Sequence, residues 1–188
     1  AFYSLAWSDE LNLCVAVNTS NNAIMISNDC INWKLVYSNG TKPMNKVCWS
    51  SELSLFIAVS NNGTNNNIMT SYDGINWYSQ YTPSNIEWTN LIIYNNDYIF
   101  MAYCSNITST SLSKIIYSFN GIHWYELYKT SDNRVYATTN KILWVNKGFI
   151  AINSGSNIYI YNGLSYNNNT KLFSFIPARK ISHVMPVY

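Results

Sequence analysis

The sequence predicts an all-β fold built from four copies of one small antiparallel sheet, and three observations predict it. A short block recurs with its closing aromatic at positions 33, 77, 124 and 166, spacings of 44, 47 and 42 residues. Apolar residues fall in brief runs rich in Ile, Val, Tyr, Phe and Trp, bounded by Asn, Gly, Ser and Pro, as strands and turns do. No stretch sustains a 3.6-residue apolar period, so helices should be nearly absent.

The block reads Ile24-Met25-Ile26-Ser27-Asn28-Asp29-Cys30-Ile31-Asn32-Trp33 in its first copy. It returns as Ile68-Met69-Thr70-Ser71-Tyr72-Asp73-Gly74-Ile75-Asn76-Trp77 and as Ile115-Ile116-Tyr117-Ser118-Phe119-Asn120-Gly121-Ile122-His123-Trp124. The fourth copy is degenerate, Ile158-Tyr159-Ile160-Tyr161-Asn162-Gly163-Leu164-Ser165-Tyr166. An apolar run precedes each block (11–17, 53–59, 98–103, 148–152). Before that run comes a shorter element with an aromatic, at Trp7, Trp49, Tyr94 and Trp144. Each copy therefore reads as four short strands, in the second copy 46–50, 55–60, 67–71 and 77–81.

Four strands per 42–47 residues is the signature of a β-propeller blade. Blades are expected at about 2–45, 46–89, 90–139 and 140–178. Lys180-Ile181-Ser182-His183 resembles Lys46-Val47-Cys48-Trp49, so residues 179–188 read as a closing strand or the start of a further blade. The blades would form a closed four-blade propeller or part of a larger one. The chain opens at Ala1 rather than Met, which reads as a processed, trimmed or partial chain.

Within the block, Ser71, Asp73, Gly74 and Trp77 form the pattern S-x-D-G-x-x-W. Ser118, Asn120, Gly121 and Trp124 repeat it with Asn for Asp; Ser27, Asp29 and Trp33 repeat it with Cys30 in the Gly position; Asn162, Gly163 and Tyr166 keep a remnant. This pattern resembles the Asp-box (BNR) repeat of sialidase-like β-propellers, of the kind common in large DNA viruses and phages. The physical reading of these residues is structural. Asp or Asn bonds nearby backbone amides in a tight turn, and Gly supplies positive φ without steric cost. The Ser hydroxyl bonds turn backbone and the Trp plugs the sheet.

Composition narrows the function. Charged residues are 11% of the 188, against roughly 25% in an ordinary domain, while hydrophobic residues are 48% and aromatics 16%. The polar surface must come from the 29 Asn, 23 Ser and 12 Thr. Net charge is +2 without a basic cluster, which argues against nucleic acid. The longest apolar stretch, residues 98–104, is far below the roughly 20 residues of a membrane span, so no membrane insertion is expected. The abundance of Asn, Ile, Tyr, Lys and Phe suits an A/T-rich genome and says nothing of activity. Five N-x-S/T sequons, at Asn18, Asn39, Asn62, Asn106 and Asn168, match the roughly five that chance supplies. The four cysteines, Cys14, Cys30, Cys48 and Cys104, fall at different places in the repeat and read as reduced structural thiols.

The box lies between strands three and four, so the loops between strands two and three and the connections between copies share the opposite end. These segments vary among copies, and variable loops on a repeated scaffold are where binding sits. Tyr81, Trp88 and Tyr136, with Asn62 and Asn106, are the candidate binding residues for neutral glycans or a protein surface.

Catalysis finds little support. The resemblance implies a sialidase site of three arginines, a Tyr–Glu nucleophile and an acid Asp, but the chain has only Arg134 and Arg179. Glu87 and Asp132, both in copy-to-copy connections, are the least implausible pair for another glycosidase mechanism. His123 and His183 form no metal-ligand spacing with the cysteines, so no metal and no cofactor is expected. The expectation is a non-catalytic structural or binding module of a virion or cell surface, contacting coat proteins or glycans. The alternative is a sialidase-like glycoside hydrolase whose catalytic residues lie outside this chain.

Overall fold

A computed structural model describes residues 2–19, 23–36, 43–60, 67–83, 90–94, 99–103, 115–126, 139–145, 148–153, 158–167 and 172–181. Every element among them is a strand, and they form four four-stranded antiparallel sheets. The first holds β1 (Phe2–Ser8), β2 (Leu13–Asn18), β3 (Ile24–Ser27) and β4 (Lys34–Val36), paired in chain order. The second holds β5 (Met44–Ser50), β6 (Leu55–Ser60), β7 (Ile68–Ser71) and β8 (Tyr78–Gln80). The third holds β9 (Asn90–Tyr94), β10 (Ile99–Tyr103), β11 (Ile115–Ser118) and β12 (Tyr125–Glu126). The fourth holds β13 (Thr139–Val145), β14 (Gly148–Asn153), β15 (Ile158–Asn167) and β16 (Leu172–Ile181). The chain divides into two compact units, residues 1–103 with 116–125 and residues 104–115 with 126–188.

In the first unit the sheets stack face to face, and the sequence of β6 shows why. Strand side chains alternate between faces. Phe56 and Ala58 of β6 join Leu13, Val15, Val17 and Ile24 of the first sheet in one buried cluster. Leu55, Ile57 and Val59 join Phe100, Ala102, Ile116 and Trp124 of the third sheet in another. Both faces of β6 are therefore covered, which is why the strand is apolar at successive positions rather than alternating. Ser4 of β1 ties the first two sheets by hydrogen bonds as well, its Oγ accepting from Val47 N at 3.2 Å and donating to Val47 O at 3.4 Å. The outer face of the first sheet is different. Leu5 is 65% exposed, whereas Val47, its counterpart in the second sheet, is 6% exposed because it faces the sheet before it.

The fourth copy departs from the expectation of a box turn at Asn162-Gly163. β15 runs straight through both residues, and its register with β16 shifts between Asn162 and Leu164, leaving Gly163 as an extra residue. The cause is local. Counted back from Asn162-Gly163, Ile160 stands where Ser71 does, and in the strand register Tyr161 takes that place opposite Phe149, so no serine is present to hold a tight turn, and Ile158, Tyr159, Ile160 and Tyr161 favour extended backbone. Lys180 and Ile181 pair with Tyr159 and Ile158 as the last residues of β16, and residues 182–188 lie outside the described ones.

Candidate functional site

The box turns are the best-defined polar constellation of the described residues. In the second sheet Asp73 Oδ1 accepts hydrogen bonds from Ile75 N at 2.8 Å and Asn76 N at 2.7 Å, and Oδ2 accepts from Asn76 Nδ2 at 2.7 Å. Ser71 Oγ donates to Asp73 Oδ1 at 3.0 Å and accepts from Gly74 N at 2.9 Å. Trp77 Nε1 closes the turn on Gly74 O at 3.0 Å. The first sheet repeats this with Asp29, Ile31, Asn32 and Ser27, and Trp33 Nε1 donates to Cys30 O at 3.2 Å. The third uses an amide for the carboxylate: Asn120 Oδ1 accepts from Ile122 N at 3.0 Å and His123 N at 2.9 Å, and Asn120 Nδ2 lies 3.0 Å from His123 Nδ1.

These bonds set the charge state of the two acids. For Asp29, the Asn32 backbone amide is the strongest influence, followed by the Asn32 side chain, Ile31 N and the Ser27 hydroxyl, and together they hold the carboxyl well below the usual range. For Asp73, burial pulls the carboxyl upward, but hydrogen bonds from Asn76, Ile75 and Ser71 outweigh it and leave the group below its ordinary value. Both carboxylates are committed to turn backbone. A group already accepting several hydrogen bonds in its ionised form is a poor general acid.

Box glycines have a second role that turn chemistry alone does not reveal. Gly74 has φ +72°, and a Cβ there would come 2.8 Å from Leu13 Cδ2 and 2.9 Å from Val15 Cγ2 of the preceding sheet. Gly121 has φ +71°, and its Cβ would meet Ile57 Cδ1 at 2.7 Å and Leu55 Cδ2 at 2.9 Å. Each of these turns rests its glycine directly on the second strand of the sheet before it.

A second repeated turn escaped the reading of the sequence, although its signal is there: Trp-Ser-x-Glu-Leu-x-Leu at 7–13 and again at 49–55. Ser8 Oγ accepts from Leu11 N at 3.1 Å and Ser50 Oγ accepts from Leu53 N at 3.4 Å. Asn12 and Ser54 take positive φ, 47° and 48°, to turn the chain into β2 and β6. The Glu10 carboxylate then reaches across sheets: its Oε2 accepts from Ser8 Oγ at 3.3 Å and from Trp49 Nε1 at 2.9 Å.

At the opposite end, where binding was expected, Tyr81 follows β8 and is 76% exposed. Thr82 beside it is buried, as are Asn18, Ser60 and Asn67 at the strand ends. Trp88, Tyr136, Asn62 and Asn106 lie outside the described residues. Glu87, Asp132, Arg134 and His183 lie outside them too. Among the described residues no group of three or more His, Cys, Asp or Glu side chains could hold a metal ion. No helix among them is long and apolar enough to cross a membrane.

No protein-family model and no curated protein sequence matches the chain. Its likeness is to solved structures. A hydrazine synthase chain of Kuenenia stuttgartiensis superposes with TM-score 0.62 at 9% identity, covering 94% of this chain and 54% of that one. A chain of a nidogen/laminin complex gives 0.62 at 7% identity, covering 89% and 69%. The computationally designed Ika4 protein gives 0.55 at 12% identity, covering 87% and 91%. At such identities the likeness is one of fold. The chain spans about half of the hydrazine synthase chain it matches.

Proposed function

We propose that this chain is a β-propeller of Asp-box-type blades that serves as a non-catalytic structural or binding module of a virion or cell surface. It contacts coat proteins or glycans through the loop end that bears Tyr81. The four four-stranded sheets are its blades. One observation carries the reading: five acids of the described residues are spent on the scaffold. Asp29 and Asp73 hold box turns, Asp9 accepts from Trp7 Nε1 at 2.7 Å, Glu10 joins two sheets, and Glu52 accepts from Ser50 Oγ at 3.4 Å. The third box does the same work with Asn120, so the position needs an acceptor and not an acid. A polar, weakly charged loop end with exposed tyrosine suits contacts to neutral surfaces.

The test is binding of the purified chain to an array of neutral glycans and to isolated coat proteins, at low salt and at about 0.5 M salt, where charge pairs are screened within about 4–5 Å. Binding should survive the salt and fall when Tyr81, Trp88 and Tyr136 are changed together to Ala. Loss of binding in salt would refute the neutral-contact mechanism. Turnover of a chromogenic glycoside by this chain would refute the non-catalytic reading and favour the glycoside hydrolase.

A further inference from the structure

At the glycine position of the box, the first copy carries a cysteine. Cys30 stands where the second and third sheets have Gly74 and Gly121, and it keeps their left-handed backbone with φ 59°. A Cβ at that position of the second sheet would meet Leu13 and Val15 of the preceding sheet first, at 2.8 and 2.9 Å, and then one neighbour within its own sheet. In the second sheet a Cβ on Gly74 would lie 3.5 Å from Cε2 of Phe56, the second residue of β6, which pairs with Ser71. In the first sheet the second residue of β2 is Cys14, which pairs with Ser27 in the same register. Where the second sheet has a large ring beside a bare glycine, the first therefore has two thiols. Cys30 is near enough to Cys14 to act on its thiol, adding to the upward push of burial. Both are free, Cys14 buried and Cys30 exposed. Cys48 is placed otherwise, on β5 with its Sγ donating to Ile57 O at 3.5 Å.

We propose that Cys14 and Cys30 form a redox-responsive modification site that closes to a disulfide by exchange with a low-molecular-weight disulfide such as oxidised glutathione. The exposed residue acts first: the Cys30 thiolate attacks one sulfur of the reagent, whose S–S bond breaks and releases one thiolate that takes up a proton. Cys14 then gives its proton to solvent, and its sulfur attacks Cys30 Sγ. The mixed disulfide breaks and the second small thiol leaves. Two protein thiols lose two electrons together, and one reagent disulfide becomes two thiols. The order follows from exposure, and burial, with the Cys30 contact, supports it by pushing the Cys14 thiol up to about 11. The product ties β2 to its own box turn, a loop of ordinary size for a stabilising crosslink.

The full chain is equilibrated in glutathione buffers from fully reduced to fully oxidised, quenched by acid and alkylation, and mapped by peptide mass spectrometry. The expected result is a Cys14–Cys30 crosslinked peptide pair lacking two hydrogens, with Cys48 alkylatable after unfolding, and an upward shift of the thermal midpoint that reductant reverses. In the Cys14→Ser variant Cys30 should stop at the glutathione adduct. In Cys30→Ser, Cys14 should stay unmodified. The wild-type map decides even if a variant fails to fold. A Cys30–glutathione adduct that persists in the wild-type chain with Cys14 free overturns the proposal, as do two free thiols at every redox ratio.

Discussion

Replacing Gly74 with Ala separates two demands that one residue meets at once. The backbone demand is φ +72°, where a side chain costs about 1–2 kcal/mol. The packing demand comes from Leu13 Cδ2 and Val15 Cγ2, 2.8 and 2.9 Å from the new methyl, both on residues buried in the core shared by the first two sheets. Overpacking of this kind costs about 1–3 kcal/mol. Gly74→Ala should therefore destabilise by about 2–5 kcal/mol, a large part of the roughly 5–15 kcal/mol of an ordinary domain. For a chain of this size that lowers the thermal midpoint by about 4–20 °C. The matching control is Cys30→Ala, which keeps a side chain at a positive φ in an exposed box and should stay within about 0.5 kcal/mol of wild type. Tryptophan fluorescence during urea unfolding reads both, and adding Leu13→Ala to Gly74→Ala should cost less than Leu13→Ala alone, since it clears the clash. A Gly74→Ala loss of only about 1–2 kcal/mol, the backbone share alone, with no relief from Leu13→Ala, would refute the packing half of the argument. A Gly74→Ala protein as stable as wild type would refute both halves.

Other outcomes follow from the same geometry. Asp73→Asn keeps an acceptor for Ile75 N and Asn76 N, as Asn120 does in the third box, and should cost under about 1 kcal/mol, whereas Asp73→Ala orphans those amides and should cost about 1–3 kcal/mol in urea unfolding. Asp29 and Asp73 have folded-state values below the ordinary carboxyl value, so their contribution is complete above about pH 4 and is lost as pH falls through those lower values. A thermal midpoint that falls on acidification below about pH 4, and falls less steeply in Asp29→Asn/Asp73→Asn, is the expected profile; superimposable profiles would contradict it. Trp49→Phe removes the donor to Glu10 but keeps the ring that packs 4.4 Å from Phe56, so it should lose no more than about 1 kcal/mol in the same assay. Tyr81→Ala should leave the thermal midpoint unchanged because the ring is exposed, and lower only partner binding.

Much of the molecule is legible along the chain because its strand and turn chemistry is local. Asp73 bonds amides two and three residues away, and Trp77 bonds a carbonyl three residues back, so S-x-D-G-x-x-W carries its own turn wherever it occurs. The strands anticipated in the second copy agree with β5 to β8 to within about two residues, the usual scatter of strand ends. The fourth copy shows where pattern matching misleads. Asn162 and Gly163 preserve the turn residues, but Ile160 has no hydroxyl to hold them, and the chain extends through as β15. The serine before the acid is as much a part of the turn signal as the glycine after it. The Glu10 turn is written in the sequence too, as a Trp-Ser-x-Glu-Leu-x-Leu pair, without the glycine that announces most turns.

By itself, then, the sequence determined an all-β chain, the spacing of its strands and the turn made by each well-formed box. Only the tertiary structure decided what those elements lean on. That Gly74 must be bare for Leu13 and Val15, that Glu10 reaches Trp49, and that β6 is apolar on both faces depend on neighbours some 40 to 60 residues away in the chain. A side chain's bonding preferences travel with it, but the surface it meets is set by how sheets stack. No local pattern encodes which residue of one sheet will stand opposite a given residue of the next.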